Sequence, residues 1–180
     1  KFKFKTIYIK NFRNCGSIYS WYSFYKTWKR KKKNLILLHS DLLFDNSYLS
    51  LLKKKKHNIV CCSEYNRNNY KPDFWMCTSR KNNLVNSIVQ YKSIEQKVKR
   101  YQISCINKFS SNMLKKFFPY MKNYFSKYGI NDTWEVVLNK FIQESNFKIY
   151  LYKNSRYWFN INTLKDLNKA KNFFNKESRI

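Results

Sequence analysis

The residues best suited to chemistry lie at the end of a short apolar segment, where residues 35–38 (LILL) are followed by His39, Ser40 and Asp41. An unbroken run of aliphatic residues is typical of a strand that is buried on both faces of a sheet. In open α/β sheets, ligands bind outside the carboxyl ends of the strands. Asp41 is therefore the first candidate to hold a metal ion or a ligand. The alternative is that its carboxylate only caps the following turn.

His39, Ser40 and Asp41 are also the residue types of a hydrolase triad. Adjacent residues of a strand point to opposite faces, so these three cannot form a proton relay. We therefore interpret His39 as a packed or hydrogen-bonded strand residue. The chain has two glycines, Gly16 and Gly129, which are too few for a Walker A loop or a Gly-rich dinucleotide-binding turn.

The chain is strongly basic, with 37 Lys and Arg against 10 Asp and Glu and a formal net charge of +27. Such a charge normally indicates nucleic acid or an anionic membrane as a partner. Only seven of these residues are Arg, the residue that makes bidentate contacts with phosphates and bases. Lys, Asn, Ile, Tyr and Phe, which have AT-rich codons, are all abundant, so we attribute the basicity mainly to composition. Nucleic-acid binding through the basic runs 29–33 and 53–56, without enzymatic activity, is kept as the alternative function.

The cysteines predict free thiols. There are five of them, with no C-x-x-C pair, at Cys15, Cys61, Cys62, Cys77 and Cys105. This number and spacing indicate neither a disulfide framework nor a zinc site. A reducing compartment fits best, and we expect a cytoplasmic protein. The sequence contains no apolar run of the length that spans a membrane.

The order of elements predicts one α/β domain over residues 1–180. Strands at 35–38 and 58–62 enclose a helix that Asn46 and Ser47 can cap, which is typical of parallel sheets with crossover helices. Residues 74–78 and 84–89 are predicted to pair as a hairpin, with asparagines in the left-handed positions of its turn. Further helices are predicted to begin at four caps, which are Ser17, Ser110, Thr133 and Thr163.

Several segments, in this order, resemble the nucleotidyltransferases that couple CTP or another NTP to phosphocholine or a sugar phosphate. Residues 16–20 (GSIYS) resemble the family segment N-N-I-Y-S-L, and residues 37–45 (LLHSDLLFD) resemble its strand ending in G-D with a following F-D. The strand, hairpin and strand between residues 73 and 109 also resemble the family. So do residues 134–138 (WEVVL) and residues 156–170, where the family closes with W-x-E-I-D-T-x-x-D-L-x-x-A. The resemblance covers nearly the whole chain.

The resemblance implies a Rossmann-like domain with a mixed, mainly parallel sheet and flanking helices. It implies nucleotidyl transfer, in which a phosphate oxygen of the acceptor attacks the α-phosphorus of the NTP, CTP being favoured, and pyrophosphate leaves. The protein positions two anions while Mg²⁺ neutralises charge. The implied partners are thus an NTP and a phosphorylated small molecule.

The resemblance also implies roles for individual residues. Asp41 corresponds to the first catalytic and metal-binding carboxylate, and Asn162 takes the place of the second metal ligand. Residues expected near the nucleotide are Gly16, Ser17, Ser20 and Lys92. Residues expected near the acceptor are Trp134, Glu135 and Trp158, because aromatic faces and a carboxylate suit a choline head group.

Three departures from the family pattern weaken this expectation of activity. The family's N-terminal Gly-rich loop is not found, so the chain is expected to lack the segment that binds the NTP phosphates. Asn160 and Asn162 stand where the family has Glu and Asp, and Ser40 replaces the usual Gly. An amide oxygen can coordinate a cation but brings no charge, so weak or no activity is expected of this chain alone.

Overall fold

The computed structural model describes residues 7–10, 12–64, 75–79, 81–90, 99–153 and 157–177. The strands in these ranges are β1 (Leu35–Leu38), β2 (Leu42–Phe44), β3 (Asn58–Glu64), β4 (Trp75–Ser79), β5 (Val85–Gln90), β6 (Arg100–Phe109), β7 (Ile149–Lys153) and β8 (Trp158–Asn160). The helices are α1 (Ser17–Ser23), α2 (Tyr25–Lys31), α3 (Ser47–Lys54), α4 (Ser111–Tyr128), α5 (Trp134–Glu144) and α6 (Leu164–Glu177). Short 3-10 turns lie at Phe12–Asn14 and Lys81–Asn83.

The central sheet has six strands, and the long strand β6 sets its topology. One edge of β6 pairs with β3, and the other edge pairs first with β4 and then with β1, all antiparallel. β5 pairs antiparallel with β4, and β7 pairs parallel with β3. Strands β1, β3, β4 and β7 therefore point in one direction, and β5 and β6 run the other way.

The predicted mixed sheet with flanking helices is confirmed, and most of its strands do share one direction. The succession β1–α3–β3 was expected to place two parallel strands side by side. β1 and β3 are parallel, but β6 lies between them. The reason is the length of β6, whose ten residues offer a full edge to β3 and leave the opposite edge free for β1 and β4.

The two faces of the sheet bury separate apolar cores. In β3, Val60 and Cys62 face one core, and Ile59 and Cys61 face the other, as the alternation of side chains along a strand requires. The larger core is built with α1, α2, α4 and α5. The smaller core is covered by α3 and by the two-stranded ribbon of β2 and β8. The short segment after β1 connects the sheet to this ribbon.

The helix caps follow the sequence in part. Ser110 caps α4 by accepting a hydrogen bond from the Met113 N–H at 3.2 Å. Before α6, Thr163 Oγ1 accepts from the Asp166 N–H at 3.2 Å and Asp166 Oδ2 accepts from the Thr163 N–H at 3.0 Å, which is a capping box. Ser17 is the first residue of α1 and not its cap, because Gly16 takes that position. Thr133 precedes α5 without a capping hydrogen bond from its side chain.

The predicted hairpin of β4 and β5 is confirmed. Its turn places Asn82 at φ 63° and Asn83 at φ 58°, the left-handed conformation that Asn tolerates well. No helix among the described residues is long and apolar enough to cross a membrane.

Candidate functional site

A cleft of about 430 Å³ opens between α1, α4 and the end of β1. Aromatic and aliphatic side chains of these elements form much of its wall, and its polar groups come from α1 and from the segment after β1. Ser17, Ser20 and Asp41 all line this cleft. The structure therefore brings two of the residues predicted to bind the nucleotide to the same cavity as the predicted catalytic carboxylate.

Asp41 sits where β1 ends and the chain turns toward β2. Its backbone carbonyl accepts a hydrogen bond from the Ile161 N–H at 2.8 Å. The ladder continues as Leu42 pairs with Asn160 in the ribbon of β2 and β8. This pairing carries residues 160–162 to Asp41, so the two segments predicted to share a metal ion are neighbours in the fold.

The oxygen donors at this point fit a Mg²⁺ ion. Asp41 supplies a carboxylate, and Asn162 supplies an exposed amide. Asn160 Oδ1 is buried, with no hydrogen-bond partner among the residues that the structure describes. Proteins hold Mg²⁺ with one or two carboxylates and complete its shell with water and phosphate oxygens. Asp41 and Asn162 match that pattern with one carboxylate, whereas the family pattern has a carboxylate at both positions.

Gly16 and Ser17 join the start of α1 to the loop before α5. The Gly16 N–H donates to the Ile130 carbonyl at 2.8 Å. A Cβ on Gly16 would lie 1.8 Å from the Asp132 carbonyl oxygen, so only glycine fits here. Ser17 Oγ accepts a hydrogen bond from the Trp134 N–H at 3.0 Å. These contacts fix α1 beside α5 and so place Ser17 and Ser20 at the cleft.

The residues predicted to contact the acceptor are not brought together. Trp134 is fully buried and stacks on Trp21 with ring centroids 5.0 Å apart. Glu135 is 4% exposed, on the same face of the sheet. Trp158 lies half-buried in β8 on the opposite face, against the smaller core. Their contact with an acceptor stays a prediction, and so does the role of Lys92, which lies outside the described residues.

A polar cluster that the sequence did not predict lies close to Asp41. It joins His39 at the end of β1, Cys105 within β6 and Glu135 in the first turn of α5, with one ligand atom of each within 4.8 Å of the others. These residues come from three separate elements, so no local spacing could have indicated the cluster. The sequence signal was the position of Glu135, a carboxylate directly after Trp134 at the start of a helix whose other residues are largely apolar.

Burial controls the protonation of this cluster. It raises the pKa of Glu135 to about 7 and raises the pKa of the Cys105 thiol. It lowers the pKa of His39, and the nearby charge of Asp41 opposes that shift. The charge of Asp41 also raises the pKa of Cys105. Asp41 is thus close enough to act electrostatically on both residues.

One of the two basic runs precedes β1, the strand whose residues line the cleft. Residues 29–33 end α2 and lead to β1, and their side chains are exposed. Lys32 takes the left-handed conformation at φ 48° at the end of the helix. Trp28 Nε1 donates to the Lys33 carbonyl at 2.6 Å, which holds the run against the fold. The run therefore presents exposed positive charge at the connection between α2 and β1.

Solved structures of three nucleotidyltransferases resemble this chain. They are an inositol-1-phosphate CTP transferase from T. maritima (17% identity, TM-score 0.64, 87% of this chain), a CTP:phosphocholine cytidylyltransferase from Streptococcus pneumoniae (15%, 0.66, 93%) and a protein described as a glucose-1-phosphate thymidylyltransferase from Bacillus anthracis (16%, 0.63, 88%). No sequence-family model and no curated protein matches the chain.

These similarities define the class of fold. The chain has the α/β fold that these nucleotidyltransferases share, as the ordered sequence segments predicted. It spans 60%, 68% and 61% of the length of the three proteins, respectively.

Proposed function

We propose that this chain is the core of a nucleotidyltransferase that transfers a nucleoside monophosphate from an NTP to a phosphorylated small molecule. CTP is the favoured nucleotide, and phosphocholine or a sugar phosphate is the acceptor. A phosphate oxygen of the acceptor forms a bond to the α-phosphorus, and the bond from that phosphorus to the bridging oxygen breaks. The bridging oxygen keeps the electron pair and leaves with pyrophosphate.

One observation carries the proposal: the cleft at the end of β1 holds Asp41, whose backbone carbonyl accepts a hydrogen bond from the Ile161 N–H, next to Asn162. Ligands of α/β sheets bind at such strand ends. Asp41 and Asn162 would hold Mg²⁺, which supplies charge neutralisation of the phosphates when bound. Asp41 is the residue on which activity depends most, because it brings the only carboxylate of that pair.

The nucleotide is proposed to occupy the cleft. Ser17 and Ser20 line it and offer hydroxyl groups, while Gly16 fixes the position of α1. Lys92 is retained as a cation for the phosphates. The exposed basic run 29–33 favours the approach of a polyphosphate through long-range attraction.

The acceptor is proposed to lie on the ribbon side of Asp41. Trp158 is half-buried in β8, three positions before Ile161, and cation–π attraction to its ring would favour a choline group. Trp134 and Glu135 contribute to the acceptor side only if their buried side chains become accessible when ligand binds. A comparison of phosphocholine with a sugar 1-phosphate as acceptor tests the cation–π contact with Trp158, because only choline carries the cation.

The test is pyrophosphate release from CTP or UTP with Mg²⁺ and either phosphocholine or a sugar 1-phosphate. Nucleotide binding is measured in parallel by calorimetry, so that a slow enzyme is still informative. Asp41→Asn should abolish release while preserving the fold, and the exposed Glu144→Gln is the matched control. Unchanged release in Asp41→Asn contradicts the role of Asp41. No saturable binding of CTP or UTP at millimolar concentration overturns the proposal.

A second candidate is a non-enzymatic nucleic-acid-binding domain. The observation that favours it is the exposure of both basic runs, residues 29–33 and 53–56, in a chain of net charge +27. It predicts affinity for single-stranded RNA or duplex DNA that falls steeply with salt. Affinity no greater than that of an unrelated protein of equal charge would exclude it.

A further inference from the structure

The polar cluster of His39, Cys105 and Glu135 is built from three elements that meet only in the folded chain. One ligand atom from each side chain, an imidazole nitrogen, a sulfur and a carboxylate oxygen, lies within 4.8 Å of the other two. The proposed Mg²⁺ site at Asp41 and Asn162 uses none of these residues. The cluster therefore presents a different set of donors.

The backbone of β6 is distorted at the place where it presents Cys105. Val60 pairs with Asn107 and Cys62 pairs with Ile103, so three residues of β6 stand opposite Cys61 alone. This is a β-bulge, and Cys105 lies in it at φ 56°, a conformation that residues with a Cβ rarely adopt. Ser104 Oγ secures the bulge by donating to the Cys61 carbonyl at 3.0 Å. Bulges are frequent next to functional sites, where they re-aim a side chain.

Among the residues that the structure describes, no cationic side chain compensates the charge of the Glu135 carboxylate. Glu135 is 4% exposed, and burial raises the pKa of its carboxyl group, while its own backbone N–H and the Thr133 side chain oppose that rise. His39 packs edge-on against the fully buried ring of Trp134, with centroids 6.1 Å apart. Burial of a carboxylate is costly unless a charge or a metal ion compensates it.

We propose that His39, Cys105 and Glu135 form a binding site for Zn²⁺ or a similar transition-metal ion. Imidazole, thiolate and carboxylate are the ligands that Zn²⁺ takes, whereas Mg²⁺ requires oxygen donors. Ligands at about 2.0–2.3 Å from a tetrahedral Zn²⁺ lie roughly 3.3–3.8 Å apart, so small rotations of the side chains complete the site. A water molecule supplies the fourth ligand.

Binding converts the Cys105 thiol to a thiolate and releases its proton to solvent. The ion then lies behind Asp41 and adds positive charge close to it. The site does not depend on nucleotide chemistry, so it can be tested whether or not the chain proves to be a nucleotidyltransferase.

The experiment is a titration of the purified, metal-free chain with Co²⁺, followed by its absorption. We expect one equivalent to bind with a thiolate-to-Co²⁺ charge-transfer band, and Zn²⁺ to abolish that band by displacement. Cys105→Ser should remove the band. His39→Asn and Glu135→Gln should each weaken binding by more than about tenfold, since even outer-shell partners contribute that much.

The matched control is Cys15→Ser, because Cys15 is also a partly exposed free thiol. It should bind Co²⁺ as the unaltered chain does, and excess Mg²⁺ should not compete. A second measurement needs no variant: Zn²⁺ should protect Cys105 from alkylation and leave Cys15 reactive, as mapped by mass spectrometry. The proposal is overturned if the unaltered chain gives no thiolate band, if the band survives in Cys105→Ser, or if Zn²⁺ leaves the alkylation of Cys105 unchanged.

Discussion

Ser17 Oγ accepts a hydrogen bond from the Trp134 N–H at 3.0 Å, and this contact joins the first residue of α1 to the first residue of α5. The N–H groups in the first turn of a helix have no partner within the helix. Thr133 does not cap α5 through its side chain. Ser17, which is distant in sequence, therefore accepts a hydrogen bond that a capping side chain would otherwise accept. The same contact holds α1 in the position where it forms one wall of the cleft.

Replacing Ser17 should reveal this contact as a loss of stability. Ser17→Ala removes the acceptor and leaves a part-buried N–H unsatisfied, so we expect the free energy of unfolding to fall by about 1–2 kcal/mol. The control is Ser20→Ala, on the same helix but exposed, which should change stability by less than about 0.5 kcal/mol. Urea unfolding followed by circular dichroism measures both. Equal effects of the two variants would contradict a role for the Ser17 hydroxyl in joining the helices.

Replacing Gly16 tests the same contact between the start of α1 and the loop before α5. A Cβ would meet the Asp132 carbonyl oxygen at 1.8 Å and the Asn131 carbonyl oxygen at 2.4 Å, and both contacts are with backbone. Gly16→Ala therefore has to displace the loop before α5, and we expect a loss of about 1–3 kcal/mol. Cys15→Ala, at the neighbouring, partly exposed position, serves as the control. Should Gly16→Ala unfold at the same urea concentration as the control, the close approach of these two loops would be refuted.

Lys108 should stabilise α3 from within β6. Its side chain is buried, and its ammonium group donates to the carbonyls of Leu52 at 2.6 Å, of Lys53 at 3.4 Å and of Lys55. These are carbonyls at the end of α3, where the helix dipole favours a cation.

Lys108→Met keeps the apolar stem and removes the charged donor. Hydrogen bonds to charged groups contribute about 1.5–3 kcal/mol, and we expect a loss of that size in unfolding free energy. The exposed Lys115→Met is the control, and it should be nearly neutral. Thermal unfolding with and without added salt distinguishes the two, because the buried contact is screened less than a surface charge. An effect of Lys108→Met no larger than that of the control would contradict the predicted role of its ammonium group.

The features that local sequence predicted are those that local chemistry determines. The strand before Asp41, the left-handed Asn82 and Asn83, and the caps at Ser110 and Thr163 all depend on residues within a few positions of one another. Their conformations follow from propensity and from short-range hydrogen bonds.

The features that local sequence did not predict depend on contacts between distant segments. The insertion of β6 between β1 and β3 follows from the pairing of whole strands, which no short pattern encodes. The cluster of His39, Cys105 and Glu135 depends on a bulge that turns Cys105 out of the regular ladder. Ser17 was expected to cap its own helix, and it accepts the N–H of another helix instead.

The second ligand of the proposed Mg²⁺ site offers a gain-of-function prediction. Asn162 is exposed and follows Ile161, whose N–H is hydrogen-bonded to the Asp41 carbonyl. Asn162→Asp adds a negative charge of nearly the same shape, at a surface position where the cost to stability is small. The added charge repels Asp41, and a divalent cation relieves that repulsion, so we expect tighter metal binding. The attraction between one added charge and the ion contributes about 1 kcal/mol in bulk water and about 4 kcal/mol at a partly shielded surface. Because a tenfold change in affinity corresponds to about 1.4 kcal/mol, we expect the affinity for the metal to rise roughly tenfold.

The measurement is Mn²⁺ binding by electron paramagnetic resonance in the presence of saturating Zn²⁺, which occupies any thiolate site, with Mg²⁺ as competitor. Asn172→Asp, on the exposed side of α6, adds the same charge away from Asp41 and serves as the control. Combining Asn162→Asp with Asp41→Asn should return the affinity to that of the unaltered chain or below, because the two carboxylates act on one ion. If Asn162→Asp and Asn172→Asp raise the affinity equally, the effect is one of overall charge, and Asn162 is not a neighbour of the metal.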